Sequence, residues 1–231
     1  MSTSGGRRLP WIVAGSLLIL ALLGAAGWYV LLPEQRPALQ DGEVYGIDVS
    51  HHQGAIDWGA VADDGIELTY LKATEGGDHL DGSFEANWSG AAAAGIERGA
   101  YHFFTLCTPG HEQAEHFLRT VPDDERALPP ALDLELAGNC SERPPADEVR
   151  QEVDAFVDHV EAATGERVLL YIGQDFVDRY GTRASYDGPL WIPRFWQRPS
   201  EDWAVWQVTY HAHVEGIEGG VDLDVAVTPL P

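Results

Sequence analysis

Lysine is almost missing from this 231-residue chain: Lys72 is the only one, and acids outnumber Lys and Arg together by 37 to 14. So few cations cannot neutralise a phosphate backbone, which argues against nucleic acid as a partner. Cysteine is scarce as well. Cys107 and Cys140 are too few for a disulfide-scaffolded miniprotein or a four-thiolate zinc site. Neither a His-x-x-x-His spacing nor an EF-hand loop occurs, and the reading assigns no metal and no cofactor. The glycine-rich phosphate loop of a doubly wound sheet is missing, as are internal repeats and low-complexity tracts. What is present is 45% apolar and 22% charged, a globular composition whose length suits one domain with an appendage.

The appendage is N-terminal. Positions 11–32 carry no charge, and about 20 apolar residues suffice for a helix to cross a bilayer core. Arg7 and Arg8 precede the run and Glu34 is the first charge after it. Residues 1–10 are therefore expected on the cytoplasmic side, 11–32 as a transmembrane helix, and the rest outside. Trp28 and Tyr29 fall where an interfacial aromatic belt sits. The competing reading is a cleaved signal peptide, with Gly24, Ala25, Ala26 and Gly27 offering a cleavage site. Its apolar core usually spans only about 7–15 residues, and this run is longer. Either way the remainder is exported, as a linker over 33–41 and a domain over 42–231. All 37 acids lie in that exported part, which reads as a solvated acidic surface.

Within the domain, β-rich runs at 44–49, 68–73, 100–104, 131–134, 168–172, 190–193, 204–208 and 221–225 read as strands. Helices are expected over 84–94, closed by Gly95, over 112–119, and over 147–163. The last places Val149, Val153, Phe156 and Val160 on one face, with Pro144 and Pro145 before it and Gly165 after it. Strand–helix alternation implies a parallel sheet, and eight strands suggest closure into a TIM-like α/β barrel. The loops between the last three strands are too short for crossover helices, so the barrel should be irregular.

In a parallel barrel the reactive groups sit at the C-terminal strand ends. Asp48, Asp133, Glu135, Asp222 and Asp224 occupy such positions. Asp133 and Glu135 are two residues apart on one strand, hence on one face, with backbones about 6.5–7 Å apart. Crowded carboxylates repel, so one should hold its proton at neutral pH, as a general acid must. Glycoside hydrolysis uses one protonated acid and one ionised partner. Two other readings stay open on spacing alone: pairing with Arg194 or Arg98, or a divalent metal on the Asp-x-Glu pattern.

At these residues the chain resembles the family 25 glycoside hydrolases, the Chalaropsis-type lysozymes or N-acetylmuramidases. The similarity runs in order through Tyr45-Gly46-Ile47-Asp48-Val49-Ser50 and Leu71-Lys72-Ala73-Thr74-Glu75-Gly76, then Gly99-Ala100-Tyr101-His102-Phe103-Phe104. It continues through Leu132-Asp133-Leu134-Glu135, Leu170-Tyr171, Leu190-Trp191-Ile192, Trp206-Gln207 and Val221-Asp222-Leu223-Asp224. The resemblance implies an irregular, flattened β/α barrel with an acidic groove, and cleavage of the β-1,4 bond between N-acetylmuramic acid and N-acetylglucosamine in peptidoglycan. It implies Glu135 as general acid/base, Asp133 as the neighbour that orients the substrate acetamido group, and Asp48 and Asp222 as further acids at the same subsite, with Tyr171 close by. It also implies retention of configuration, with the substrate N-acetyl group a proposed nucleophile. His52 departs from a frequent Trp or Tyr, Pro193 from Ala, and Phe195 from Tyr.

Other residues complete the expectation. Trp191, Trp206 and Tyr101 are aromatic candidates for the glycan surface. His102, if inward, would hydrogen-bond a groove acid. Lys72 and Glu75 are spaced to form an ion pair beside the groove. Cys107 lies five residues beyond His102, and Cys140 five beyond Glu135, so both follow neighbouring strand ends. A bridge between them is expected in an exported domain. A non-catalytic peptidoglycan-binding module on the same barrel, and a glycosidase of chitin-like chains, are the alternative functions. The carboxylate run of common chitinases is absent.

Overall fold

In the computed structural model the described residues are 16, 17, 19, 20, 24, 35–181 and 188–230. The chain divides into two compact units, Met1–Arg36 and Pro37–Pro231. In the first, Ser16, Leu17, Ile19, Leu20 and Gly24 are helical. The expected span over 11–32 otherwise lies outside the described residues, among which no helix is long and apolar enough to cross a membrane.

The described residues of the second unit form nine strands: β1 (Glu43–Val49), β2 (Ile66–Glu75), β3 (His79–Leu80), β4 (Glu97–Phe103), β5 (Ala131–Leu134), β6 (Leu169–Ile172), β7 (Leu190–Pro193), β8 (Val205–Ala212) and β9 (Val221–Val227). All but β3 close a barrel in the order β1-β2-β4-β5-β6-β7-β8-β9, with β9 returning to β1. β3 is a short hairpin arm on β2. The strands from β1 to β8 run parallel to their barrel neighbours, but β9 is antiparallel to both β8 and β1. The all-parallel expectation fails there for a simple reason. The segment joining Ala212 to Val221 has no helix and is too short to return to the far end of the barrel, whereas an antiparallel partner needs only a turn.

Among the described residues five α-helices surround the sheet: α1 (Trp58–Asp63), α2 (Phe84–Ala94), α3 (Gly110–Thr120), α4 (Ala146–Thr164) and α5 (Gln174–Tyr180). In α4, Val149, Val153, Phe156, Val157 and Val160 are buried, and Gly165 ends the helix at φ 77°. A residue with a side chain is strained in that left-handed conformation. α1 and α5 were not expected, because six and seven residues are too few for a 3.6-residue period to show. Asp57 starts α1 by accepting from the Gly59 and Ala60 amides.

Strand alternation sorts side chains into two packed layers. Ile47, Leu132, Leu134, Leu170, Trp206 and Leu223 face outward into the core beneath the helices. Leu68, Tyr70, Tyr101, Ala131, Leu169 and Trp191 face inward and plug the barrel. Gly99 makes room for that plug, since a Cβ there would lie 2.4 Å from the Tyr70 ring. The inward positions beyond the plug, toward the strand ends, are the acids.

Candidate active site

A groove of about 480 Å³ opens at the C-terminal end of the parallel strands. Asp48 from β1, Asp133 from β5, Glu135 just beyond β5 and Asp222 from β9 all line it. Asp48 and Asp222 are direct register partners across β1 and β9. Asp133 faces Tyr171 across β5 and β6 in the same way. Because β9 runs antiparallel, Asp222 reaches the groove from the start of its strand while the other acids arrive at strand ends. Tyr101, Tyr171 and Trp191 line the same space.

The polar groups between these acids are tied together. Tyr171 Oη donates to Gln207 Oε1 at 3.0 Å, and Gln207 Nε2 donates to Asp48 Oδ2 at 3.3 Å. Trp191 Nε1 donates to Asp224 Oδ1 at 3.0 Å, beneath the groove floor. Asp133 Oδ1 is buried without a protein partner. Gln207 and Asp224 thus belong to the site as supports. Gln207 escaped the sequence reading although period-two alternation in β8 places it opposite in facing to the buried Trp206.

Among the described residues no arginine pairs with a groove acid. Arg98 pairs with Asp124 at 2.6 Å and Arg194 with Glu201 at 3.0 Å, so the structural-pairing reading fails. Lys72 and Glu75 do line the groove and pair at 2.6 Å, as their spacing suggested. Among the described residues no group of three or more His, Cys, Asp and Glu is placed to hold a metal ion.

Burial without neutralisation raises proton affinity. Glu135 is pushed up to about 7, by burial first and then by the charges of Asp175 and Asp222, with Lys72 opposing. Burial pushes Asp222 up to about 6. Asp133 rises well above the carboxylate range through burial and the neighbouring Glu135. Asp48 does so through burial and the charges of Asp222, Asp224 and Asp133. The expectation of one raised carboxyl in a crowded pair understates the case. Several rise, and for Glu135 burial and Asp175 outweigh its strand neighbour.

The sequence profile of the Glycosyl hydrolases family 25 matches residues 47–217, most of the barrel. The chain belongs to this family. It is 37% identical over 191 residues to the protein YegX of Escherichia coli strain K12, covering 79% of this chain and 69% of YegX. It is 33% identical over 210 residues to lysozyme M1 of Streptomyces globisporus, covering 82% of this chain and 70% of that protein. A solved family 25 glycosyl hydrolase from Bacillus anthracis matches with a TM-score of 0.76 at 32% identity, over 84% of this chain and 93% of that one. The protein is therefore a glycoside hydrolase on an α/β barrel.

Two expected groove residues of this family 25 enzyme lie elsewhere. His102 is fully buried on the outward face of β4, where its ring stacks on Phe156 at 5.0 Å. Its nitrogens meet Thr74 Oγ1 at 2.7 Å and Gln113 Oε1 at 3.0 Å, so it touches no groove acid. Burial pulls it down to about 3, and it stays neutral. Trp206 also faces outward, donating from Nε1 to the Arg194 carbonyl at 2.7 Å and packing near Trp203 and Arg198. In both cases the residue one position along the strand, Tyr101 or Gln207, is the one that faces the groove.

Of the departures from the family pattern, His52 and Phe195 sit on the rim, while Pro193 ends β7 and does not line the groove. His52 lines the groove, with His51 beside it at 4.1 Å between ring centroids. Phe195 meets Tyr210 edge-on at 5.0 Å, and both line the groove with much of their surface exposed. Cys107 and Cys140 form a disulfide with Cα atoms 6.4 Å apart. It joins the loops after β4 and β5, and Ala137 and Gly138 of the second loop line the groove.

Proposed function

We propose that this family 25 hydrolase is a lysozyme-type muramidase, cleaving the β-1,4 bond between N-acetylmuramic acid and N-acetylglucosamine with Glu135 as general acid/base. The observation that carries the reading is a largely buried carboxyl on the wall of an acidic groove, beside a second acid two residues away, where burial and the charge of Asp175 push it up to about 7. At pH 7 such a group holds its proton in about half of the molecules. Glu135 delivers that proton to the glycosidic oxygen as the bond to the sugar carbon breaks. The same carboxylate then takes a proton from the water that completes hydrolysis. Asp133 orients the acetamido group that closes on the anomeric carbon, Asp222 offsets the positive charge developing on the ring, and Asp48 lines the same subsite. Tyr101, Tyr171 and Trp191 shape the sugar-binding wall. The names of the relatives support this substrate class, lysozyme M1 among them.

The test is the release of fragments from defined peptidoglycan by the purified protein and by Glu135→Gln, read by mass spectrometry. Products with reducing N-acetylmuramic acid ends, lost in the variant, are the expected result. Anhydro-muramic ends would replace hydrolysis with a lytic transglycosylase reaction. Tight wall binding with no release would make the protein a peptidoglycan-binding module.

The same proposal includes the location: an N-terminal helix over 11–32 anchors the chain, and the barrel lies outside the cytoplasm. Support comes from the uncharged run behind Arg7 and Arg8, and from the Cys107–Cys140 bridge, which suits an oxidising compartment. Protease added to intact spheroplasts should digest the barrel and spare a short membrane-embedded fragment. Release of the barrel by washing without detergent would overturn the anchor.

A further inference from the structure

Glu135 is the groove acid that no strand holds. Asp48, Asp133 and Asp222 belong to β1, β5 and β9, whereas β5 ends at Leu134. What fixes Glu135 is therefore the set of bonds to the backbone around it. The Gly173 amide donates to the Leu134 carbonyl at 2.8 Å, closing the sheet just before Glu135. Asn139 Nδ2 donates to the Glu135 carbonyl at 3.0 Å. The Leu136 amide donates to Asp175 Oδ2 at 3.2 Å. Asp175 is itself held by the Phe176 amide, which donates to its Oδ1 at 2.8 Å.

Gly173 explains how α5 comes so close. A Cβ at that position would lie 2.8 Å from Asp175 Oδ1 and 3.1 Å from the Glu135 Cβ. Only a residue without a side chain leaves room for the carboxylate of α5 and the stem of Glu135 to converge. Asp175 does not line the groove, so it touches the site only through Glu135 and its backbone.

We propose that Asp175 is a positioning residue for Glu135, holding the amide that follows it and setting a negative charge at its back. The proposal rests on the reading of Glu135 as the acid/base. Other groups also face Glu135: Asp133 from β5, Asp222 from β9, Lys72 of the Lys72–Glu75 pair from β2, and the phenols of Tyr101 and Tyr171. Among the charges acting on Glu135, Asp175 acts most strongly, ahead of Asp222 and against Lys72. Its role is to keep the proton on Glu135 into neutral solution.

The experiment compares rate against pH for the wild type, Asp175→Asn and Glu135→Gln on the same peptidoglycan. Asparagine removes the charge and keeps one of the two side-chain oxygens, enough to accept from the Leu136 amide. The alkaline limb of kcat/KM should move to lower pH by about half a unit to one unit, giving a three- to tenfold loss at pH 8. At pH 5 the rate and KM should stay within about twofold. Because Asp175 is exposed, added salt should narrow the gap between wild type and Asp175→Asn. Superimposed profiles, or a loss equal at every pH, would overturn the proposal while an inactive Glu135→Gln leaves the acid/base reading standing. An active Glu135→Gln would overturn both.

Discussion

Asp81 and Asp224 are both buried aspartates, yet their protons behave in opposite ways. Asp81, beside the 3-10 turn at His51–Gln53, accepts from the His51 amide at 3.0 Å, His51 Nδ1 at 2.7 Å and the Ser83 amide at 2.9 Å. Burial alone would raise it, but those donors outweigh burial and hold it below the ordinary carboxylate range. Asp224 accepts from a single N–H donor, Trp191, and its other side-chain partner is the carboxyl of Asp48. Burial and the charge of Asp222 therefore drive it well upward. The contrast extends to whole regions. Asp124 outside the groove is compensated likewise, by the Arg126 amide and by Arg98, whereas Asp48, Asp133 and Asp222 inside it are buried among one another. Uncompensated burial costs stability, and this fold accepts that cost in the groove, where perturbed acids mark a functional site.

The sharpest break of this contrast is Glu135→Gln, which should lower kcat by about a thousandfold while the fold persists. Next in size, the same variant should be more stable than wild type at pH 8 by up to about 3 kcal/mol, with the difference gone at pH 4. The sign follows from Glu135 binding more protons in the folded state than in the unfolded one between 4.5 and about 7. Wild-type stability therefore falls as pH rises through that window, and denaturant titrations at the two pH values measure it. Asp81→Ala should show the reverse. It leaves three donors without their partner and should cost about 2–3 kcal/mol at pH 7, and this loss should shrink as pH falls below the carboxylate range. Trp191→Phe removes the donor to Asp224 and should lower kcat/KM about tenfold. Trp206→Phe, on the other face, should lower the melting temperature with KM unchanged. Smallest of all, His102→Gln should leave the pH–rate profile in place, because His102 is neutral throughout the working range and remote from the acids. A shifted limb in that variant would return the histidine to the site.

How much of this was legible in the sequence follows from which forces are local. All eight barrel strands and the three longer helices were readable, because alternation and the α4 stripe repeat often enough to register. The groove acids were readable because Asp133 and Glu135 share a face by spacing alone. The Cys107–Cys140 pairing came from equal offsets beyond adjacent strand ends. His102 and Trp206 were misplaced because facing depends on register, and one residue of slip turns a side chain to the other layer. Asp175 was invisible, since its link to Glu135 runs between two elements 39 residues apart and needs the gap left by Gly173. The short loops between the last three strands announced an irregular barrel, but the reversal of β9 was not read from them, because the segment after β7 is equally without a helix and still leads to a parallel β8.

That reversed strand has a mechanical consequence. Glu43 pairs with Val227 at one end of the β1–β9 seam, and Asp48 pairs with Asp222 at the other. The barrel therefore begins and finishes at the same pole, opposite its mouth. A carrier domain or surface tether spliced onto either end leaves the mouth clear. Tension applied between the two ends would peel β1 from β9 one rung at a time from that pole, and the Asp48–Asp222 rung would be the last to part.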